Sequence, residues 1–139
     1  ARLEEFWRAI RVDLFGTWLC CKYGIPHIAA AGGGTVVNVS SMVAIIGRPG
    51  ADCYTAAKGA VASITRSMAV QYAPQKIRIN ARVSRRLQQG AFPQNLLDRH
   101  LMGLLQPEDV ASVALFLASD ESKGLTGHVI PVDSGTTIT

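Results

Sequence analysis

The sequence lacks an uninterrupted apolar segment long enough to span a bilayer, and its first residues lack the pattern of a signal peptide. An excess of one charge is also missing, because 14 Lys and Arg against 10 Asp and Glu leave a net charge of only +4. A charge of that size does not call for a nucleic-acid partner. Hydrophobic residues make up 48% of the 139 positions, which is typical of a globular protein of one domain.

Cysteine and histidine are few. Cys20, Cys21 and Cys53 are odd in number, and neither they nor the 3 histidines have the spacing of metal ligands. We therefore predict no metal site, no nucleic-acid or membrane partner, and free thiols in a reducing compartment, which places the protein in the cytoplasm. Cys53 is interpreted as a small packing residue.

The most informative stretch begins with glycines at 32–34. The β-branched segment 35–41 follows and predicts a strand that is buried on both faces. Glycine and proline at 47–50 indicate a loop, and apolar residues at helical spacing predict a helix over 52–73. The segment 77–81 predicts a second strand parallel to the first, so that strand, helix and strand form a β-α-β unit.

Further elements are predicted on both sides of this unit. Apolar residues at a 3.6-residue spacing over 3–21 predict a helix, which Pro26 ends or kinks. The segment 94–105 is weakly helical in pattern, and Gln106-Pro107-Glu108-Asp109 predicts a helix start. A last strand is predicted over 127–133, where a proline confines it to a sheet edge or a chain end. The fold class is α/β.

Tyr54 and Lys58 lie four residues apart in the predicted helix and therefore share one of its faces. A free tyrosine is a poor acid-base catalyst at neutral pH, and a nearby ammonium favours its phenolate form. Ser41 follows at the carboxyl end of the preceding strand, where ligands of open α/β sheets bind, and is placed to donate to an oxyanion. The sequence therefore predicts one site that consists of Ser41, Tyr54 and Lys58. Alternatively, Tyr54 and Lys58 simply begin an amphipathic helix.

Three motifs in order, Asn38-Val39-Ser40-Ser41, the loop at Gly47, and Tyr54-Thr55-Ala56-Ala57-Lys58, resemble the short-chain dehydrogenase/reductase family. The resemblance covers nearly all 139 residues and corresponds to the second half of the family's domain. It implies one partial domain over 1–139, a Rossmann-like, doubly wound parallel sheet of about three strands with flanking helices. The N-terminal dinucleotide-binding strands of the family have no counterpart in the sequence.

The resemblance also implies a reaction, namely hydride transfer between a nicotinamide and the carbon of a small ketone or secondary alcohol. Tyr54 would exchange a proton with the substrate oxygen, Ser41 would bind that oxygen, and Lys58 would favour the phenolate. Tyr54 and Lys58 would also hold the nicotinamide ribose. NAD or NADP is the implied cofactor, although the sequence has no Gly-rich turn to receive the pyrophosphate.

Two positions depart from the family's pattern. Asp13 stands where the family has an Asn that helps hold a water in a proton relay toward the lysine. Three interpretations of Asp13 stay open. Its main-chain carbonyl serves that relay, or its extra negative charge disfavours the phenolate of Tyr54. In the third interpretation it is a solvated helix residue. The family also has a Pro-Gly turn and a Thr that contact the nicotinamide. This chain has the arginine-containing segment 82–89 in their place, which is interpreted as a solvated loop or as an anion site.

The family's two long helices pair across a two-fold axis, which implies a homo-oligomer. The apolar surface for this contact is predicted at Trp7, Leu14 and Trp18 of one helix and at Ile64 and Met68 of the other, with Ala57, Ala60 and Ala62 allowing close approach. The first strand is also expected to leave one side unpaired.

Two other functions stay open. One is a catalytically inactive, truncated chain that only packs or associates with others. The second is an anion or nucleic-acid binder that uses Arg78, Arg82, Arg85 and Arg86.

Overall fold

The structure, a computed structural model, describes residues 2–84 and 98–139. These residues form a parallel sheet of three strands, β1 (Gly34–Ser41), β2 (Ile77–Ser84) and β3 (Val129–Val132), in the spatial order β1-β2-β3. The α-helices of the described ranges are α1 (Leu3–Ala9), α2 (Gly16–Ala30), α3 (Asp52–Tyr72) and α4 (Pro107–Ala118). The predicted α/β class and parallel β-α-β unit are confirmed.

β1 and β2 pair along their whole lengths, from Gly34 opposite Ile77 to Ser41 opposite Ser84. β2 continues past its predicted end at residue 81 because Arg82 and the residues after it pair with β1 on one side and β3 on the other. β3 lies at one edge of the sheet and β1 at the other. Within the described chain, the outer side of β1 therefore has no partner strand, as expected.

The turn before β1 requires glycine. Gly33 has a φ of +119°, and a Cβ at this position would lie 2.7 Å from the main-chain oxygen of Lys76. The N–H of Gly34 donates to the same oxygen over 3.1 Å. Because only glycine fits this conformation and this approach, the turn aligns the starts of β1 and β2.

The core lies between one face of the sheet and the helices α2 and α3. It consists of Cys21, Ile25, Met68, Ala69, Ile77 and Ile79. The buried Asn38 of β1 joins both helices, since it donates to Thr65 Oγ1 over 2.9 Å and accepts from Cys21 Sγ over 3.5 Å. Burial raises the pKa of the Cys21 thiol, which keeps the proton that this bond requires.

α4 covers the amino end of the opposite face. It begins as predicted, with Pro107 in its first turn and the N–H of Gln106 donating to the Asp109 carboxylate over 2.7 Å. At its other end, the carbonyl of Leu117 accepts from Thr35 over 3.2 Å and from Arg78 over 3.2 Å. These bonds to β1 and β2 fix the carboxyl end of α4 against the sheet.

The first helical stretch is longer than predicted. Pro26 does not end the helix, since α2 continues to Ala30 with Pro26 exposed inside it. The carbonyl of Lys22, which loses its helical partner to the proline, belongs to an exposed residue and can bond solvent. Between α1 and α2 the segment Ile10–Phe15 is π-helical.

The weakly helical pattern over 94–105 is wrong for its described part. Residues 98–105 form turns and extended chain, and 94–97 lie outside the described residues. Gly103 has a φ of +81°, and the N–H groups of Leu101 and Met102 donate to Ser134 at 2.8 and 3.0 Å. Because these N–H groups bond to the C-terminal segment, they cannot contribute to a helix there.

The prediction of an exposed apolar surface on two helices is correct for the first helical stretch and wrong for α3. On the first helical stretch, Trp7 is 50% and Trp18 is 36% exposed. On α3 the prediction is wrong, because Met68 lies in the core, Ile64 packs against that core, and Ala57 is fully buried. The exposed positions along that part of α3 include Ser63, Arg66 and Ser67. Sequence spacing identified an apolar stripe but not that the sheet of the same chain covers it.

No helix in the described ranges is both long enough and apolar enough to cross a membrane.

Candidate active site

Lys58 is held from several sides at the carboxyl end of β1. Its Nζ lies 3.1 Å from Asp13 Oδ1 and donates to the main-chain oxygen of Val39, also over 3.1 Å. The hydroxyl of Ser40 donates to the main-chain oxygen of Lys58 over 2.8 Å, which ties α3 to β1. Since an ammonium has three donors and two are engaged, Lys58 has one N–H left for a ligand.

Asp13 lies in the π-helical segment that joins α1 to α2. Such segments are frequent at functional sites because they displace side chains from regular helical positions. The main-chain oxygen of Asp13 accepts from Thr17 Oγ1 over 2.7 Å, and its carboxylate, 26% exposed, pairs with Lys58. Asp13 is thus half-buried and ion-paired rather than solvated.

Tyr54 lies in the first turn of α3 and is 39% exposed. The centre of its ring is 5.7 Å from Lys58 Nζ, so the ammonium acts on the ring at short range. Tyr54 also lines a cleft of about 430 Å³ together with Val12, Asp13 and Gly50. The structure therefore brings Asp13, Tyr54 and Lys58 to one place.

Ser41 is the last residue of β1 and is buried, two residues beyond the Val39 carbonyl that Lys58 contacts. Within the described part of the chain, neither the Ser41 hydroxyl nor the Tyr54 hydroxyl has a hydrogen-bond partner, so the two do not bond to each other. Both hydroxyls remain open to a ligand at the carboxyl end of the sheet.

Cys53 lines the same cleft but is a packing residue. Burial first, and the neighbouring Asp52 second, raise the pKa of its thiol. A thiol that keeps its proton is a weak nucleophile at neutral pH, which suits the packing role predicted for Cys53.

Sequence reasoning placed Asp13 in a relay toward Lys58 but missed their direct ion pair and the bond of Lys58 to the Val39 carbonyl. The Val39 carbonyl has no sequence signal because every residue has one. The contact between Asp13 and Lys58 joins helices that are far apart in the chain, so no local spacing encodes it. Arg78 was a candidate for an anion site, yet its guanidinium is taken by acceptors of the same chain, and Arg85 and Arg86 lie outside the described residues.

Comparisons with known proteins point to one family. The family model described as enoyl-(acyl carrier protein) reductase matches residues 1–137. The cis-4-hydroxycyclohexanecarboxylate dehydrogenase of Sinomonas cyclohexanicum is 39% identical over 94% of this chain and 55% of its own length. The chain thus spans about half the length of the curated relatives that it matches.

Solved structures agree as well. A short-chain dehydrogenase/reductase structure from Burkholderia xenovorans superposes with a TM-score of 0.90 and 32% identity, covering 99% of this chain and 57% of that one. The structure of ElxO with NADP bound gives a TM-score of 0.91 and 29% identity, over 100% of this chain and 60% of ElxO. With sequence motifs, sheet order and family model in agreement, the chain belongs to the short-chain dehydrogenase/reductase family.

Proposed function

We propose that the protein containing this chain is an NAD(P)-dependent oxidoreductase that interconverts a small secondary alcohol and a ketone. The observation that carries the proposal is the position of Lys58, which lies 5.7 Å from the ring of Tyr54 and is fixed by Asp13 and Val39. Asp13 and Tyr54 line a cleft between the first helical stretch and the start of α3. Lys58 contacts β1 near its carboxyl end, where α/β sheets bind ligands.

Tyr54 is the acid-base group of the proposed reaction. Its hydroxyl is open to a ligand, and the nearby ammonium of Lys58 stabilises the phenolate that forms when the proton leaves. In alcohol oxidation the phenolate takes the hydroxyl proton, and in ketone reduction the phenol returns it. Ser41 donates to the same substrate oxygen and stabilises the negative charge that develops on it.

The residues present fit the nicotinamide end of the cofactor. Lys58 has one donor left after Asp13 and Val39, which matches a single ribose hydroxyl, and the exposed Tyr54 can reach the same sugar. When bound, the nicotinamide accepts or supplies the hydride. The NADP in the ElxO structure supports this cofactor class. Tyr54 and Lys58 hold the ribose, while pyrophosphate contacts are not assigned to this chain.

Asp13 acts in this proposal by positioning Lys58. A carboxylate 3.1 Å from the ammonium fixes its place and compensates its charge, which weakens the support that Lys58 gives to the phenolate. Asp13 therefore opposes release of the Tyr54 proton while it holds the lysine in the geometry that the reaction requires.

The surface of the first helical stretch supports a homo-oligomer. Trp7, Phe15 and Trp18 are all at least one-third exposed, and the rings of Phe15 and Trp18 stack with centroids 5.8 Å apart. An ordered aromatic patch of this kind suits an isologous contact. The free thiols suit a reducing compartment such as the cytoplasm. Nothing at the site favours a catalytically inactive chain, because its ion pair and open hydroxyls are in place.

The test compares two tyrosines in the full-length protein. Tyr54→Phe removes the hydroxyl assigned to catalysis, and Tyr23→Phe removes a hydroxyl from α2, where the residue is 65% exposed. With secondary alcohols and NAD or NADP, absorbance of the reduced nicotinamide should show a loss of about 10²–10⁴-fold for the first variant. Tyr23→Phe should be unaffected. Wild-type turnover by the Tyr54 variant would refute the assignment.

A further inference from the structure

Arg82 is a cation that the described fold leaves without an anion. Its only hydrogen bond there runs from Nη1 to Ser84 Oγ, over 2.6 Å. The ion pairs among residues 2–84 and 98–139 join Arg2 to Glu5 and Lys58 to Asp13. No carboxylate of that part of the chain pairs with Arg82.

The strand register places Arg82 next to Ser41. Arg82 lies opposite Val39, and Ser84 lies opposite Ser41. Residues directly opposite in a sheet share a face, and diagonal neighbours such as Ser41 and Arg82 lie about 7–8 Å apart. Because the guanidinium contacts Ser84, which is one strand spacing of about 4.8 Å from Ser41, it lies beside the hydroxyl proposed to bind the substrate oxygen.

The surroundings of Arg82 make its charge costly. Its neighbours across the strands are the apolar Val39 and Ile130, and Ser84 is a neutral partner. Burial lowers the pKa of the Arg82 guanidinium, but an arginine remains charged at neutral pH. Lys58, the other nearby cation, is already neutralised by Asp13. Among the described residues, Arg82 is therefore a cation at the carboxyl end of the sheet that no carboxylate compensates.

We propose that Arg82 binds a carboxylate on the substrate, so that the substrates of this site are small hydroxy acids and oxo acids. The inference rests on the proposed function, since it puts the reacting oxygen at Ser41 and Tyr54 and the carboxylate at Arg82. A guanidinium matches the two oxygens of a carboxylate in one plane. The single charge of a carboxylate also matches the single charge of Arg82, whereas the two charges of a phosphate dianion exceed it.

The distance between Ser41 and Arg82 sets the distance between the reacting carbon and the carboxylate of the substrate. Ser41 and Arg82 are diagonal neighbours, so the carboxylate must be several bonds away from the reacting carbon. 4-Oxopentanoate has this separation. Its carboxamide has nearly the same shape without the charge, which makes the two compounds a matched pair of probes.

The experiment measures reduction of 4-oxopentanoate and 4-oxopentanamide by the full-length protein, and the affinity for each by calorimetry without turnover. The wild type should prefer the acid at least about 10-fold in kcat/KM, mainly through KM. Arg82→Gln should remove that preference by weakening the reduction of the acid far more than that of the amide, and Arg82→Lys should restore part of it. Arg66→Gln, at an exposed position of α3, is the control.

The outcomes separate this inference from the proposed function. If the wild type reduces both compounds equally, or if Arg82→Gln keeps the preference, the carboxylate site is wrong while the oxidoreductase stands. If neither compound is reduced but acid binding is lost in Arg82→Gln, the carboxylate site stands and the proposed activity fails. Inorganic phosphate that competes with the acid at similar affinity overturns the choice of a carboxylate. Should Arg82→Gln fail to fold, the comparison of acid and amide in the wild type still decides.

Discussion

Arg78 and Arg82 lie on the same strand and on the same face of the sheet, yet their surroundings are opposite. Arg78 donates to the carbonyls of Leu117, Ser119 and Leu125 and to the hydroxyl of Ser122. Arg82 lies four residues further along β2, nearer its carboxyl end, and donates only to Ser84 within the described chain. Within the described chain, the guanidinium of Arg78 therefore binds four acceptors and that of Arg82 binds one.

The same difference separates other polar groups on and beside the sheet. In the middle of β2, the fully buried Asn80 donates to the Leu125 carbonyl over 2.8 Å and accepts from the His128 N–H over 3.0 Å. At the carboxyl end, the hydroxyls of Ser41 and Tyr54 have no partner in the described chain, although the neighbouring Ser40 bonds to α3. We infer that Arg78 and Asn80 stabilise the fold and that the Ser41 and Tyr54 hydroxyls are left for ligands.

The cause is where α4 ends. The last carbonyls of a helix have no helical partner and need donors from elsewhere. α4 ends over the amino end of β2, so Arg78 supplies donors to Leu117 and Ser119 and, next to them, to the short 3₁₀ turn Asp120–Ser122. Arg82 bonds to no helix end in the described chain, since its hydrogen bond there goes to Ser84 of the same strand.

The largest effect is expected from Lys58→Ala in the full-length protein. It removes the ammonium beside Tyr54 and the donor left for the ribose, so turnover should fall by about 10²-fold or more and cofactor affinity should weaken. It also leaves the half-buried Asp13 carboxylate unpaired, which should lower the free energy of unfolding. Activity assays, cofactor titration and urea denaturation measure the three effects.

A double variant separates these effects. Lys58→Ala with Asp13→Ala removes both charges, so it should recover much of the lost stability but none of the turnover. Recovery of turnover in the double variant, or unchanged cofactor affinity in the single variant, would contradict the role of Lys58 at the ribose.

Arg78→Gln should act on stability rather than on chemistry. The variant loses charged hydrogen bonds to the end of α4 and to Ser122, and a glutamine amide can replace only part of them. We expect the free energy of unfolding to fall by about 3 kcal/mol in urea denaturation. Arg66→Gln, at an exposed position on α3, should change it by no more than about 0.5 kcal/mol. Equal effects of the two substitutions would remove the contrast between the arginines.

Asp133→Asn should produce a smaller, pH-dependent loss. Burial alone would raise the pKa of the Asp133 carboxyl, but hydrogen bonds from Thr137 and Gly135 outweigh burial and lower it. A carboxyl with a lowered pKa stabilises the fold above its unfolded pKa of about 3.9, and this contribution disappears as the pH falls through the folded value.

At neutral pH the Asn variant should therefore be less stable by about 1–2 kcal/mol. The difference should shrink below about pH 4. Urea denaturation at pH 7 and at pH 3.5 measures both values. A difference that stays constant between these two pH values would show that the charge of Asp133 does not contribute.

Asp13→Asn should have the smallest effect, on the pH dependence of turnover. Removing the carboxylate leaves the Lys58 ammonium uncompensated beside the Tyr54 ring, which favours the phenolate. The rising limb of the pH profile for alcohol oxidation should therefore move to lower pH. A shift to higher pH would mean that Asp13 assists proton release instead of opposing it.

Much of the fold could be predicted because local patterns encode it. The β-branched run of β1, the helical spacing of α3, and Pro107 before two acids each identify an element, and Pro131 correctly indicated an edge. The exposure of apolar residues was harder to predict. An apolar stripe such as that of Ile64 and Met68 has the same sequence pattern whether it packs in the core of its own chain or on a partner chain.

For the site, the residue types were predictable and the contacts were not. Tyr54 and Lys58 are one helical turn apart, so their proximity follows from spacing alone. The ion pair of Lys58 with Asp13 and its bond to the Val39 carbonyl depend on how separate elements pack. The sequence indicated Arg82 only as one of several arginines of a possible anion site. Nothing in the sequence shows which arginines find hydrogen-bond acceptors within the fold.

The central claim, that Arg78 stabilises the fold and that the Tyr54 hydroxyl serves chemistry, is tested most directly by turnover per folded molecule in two variants of the full-length protein. Tyr54→Phe should keep the wild-type melting temperature and lose about 10²–10⁴-fold in turnover. Arg78→Gln, assayed at a temperature where it is folded, should melt earlier and keep wild-type turnover. Wild-type turnover by Tyr54→Phe, or loss of turnover by folded Arg78→Gln, would contradict this account.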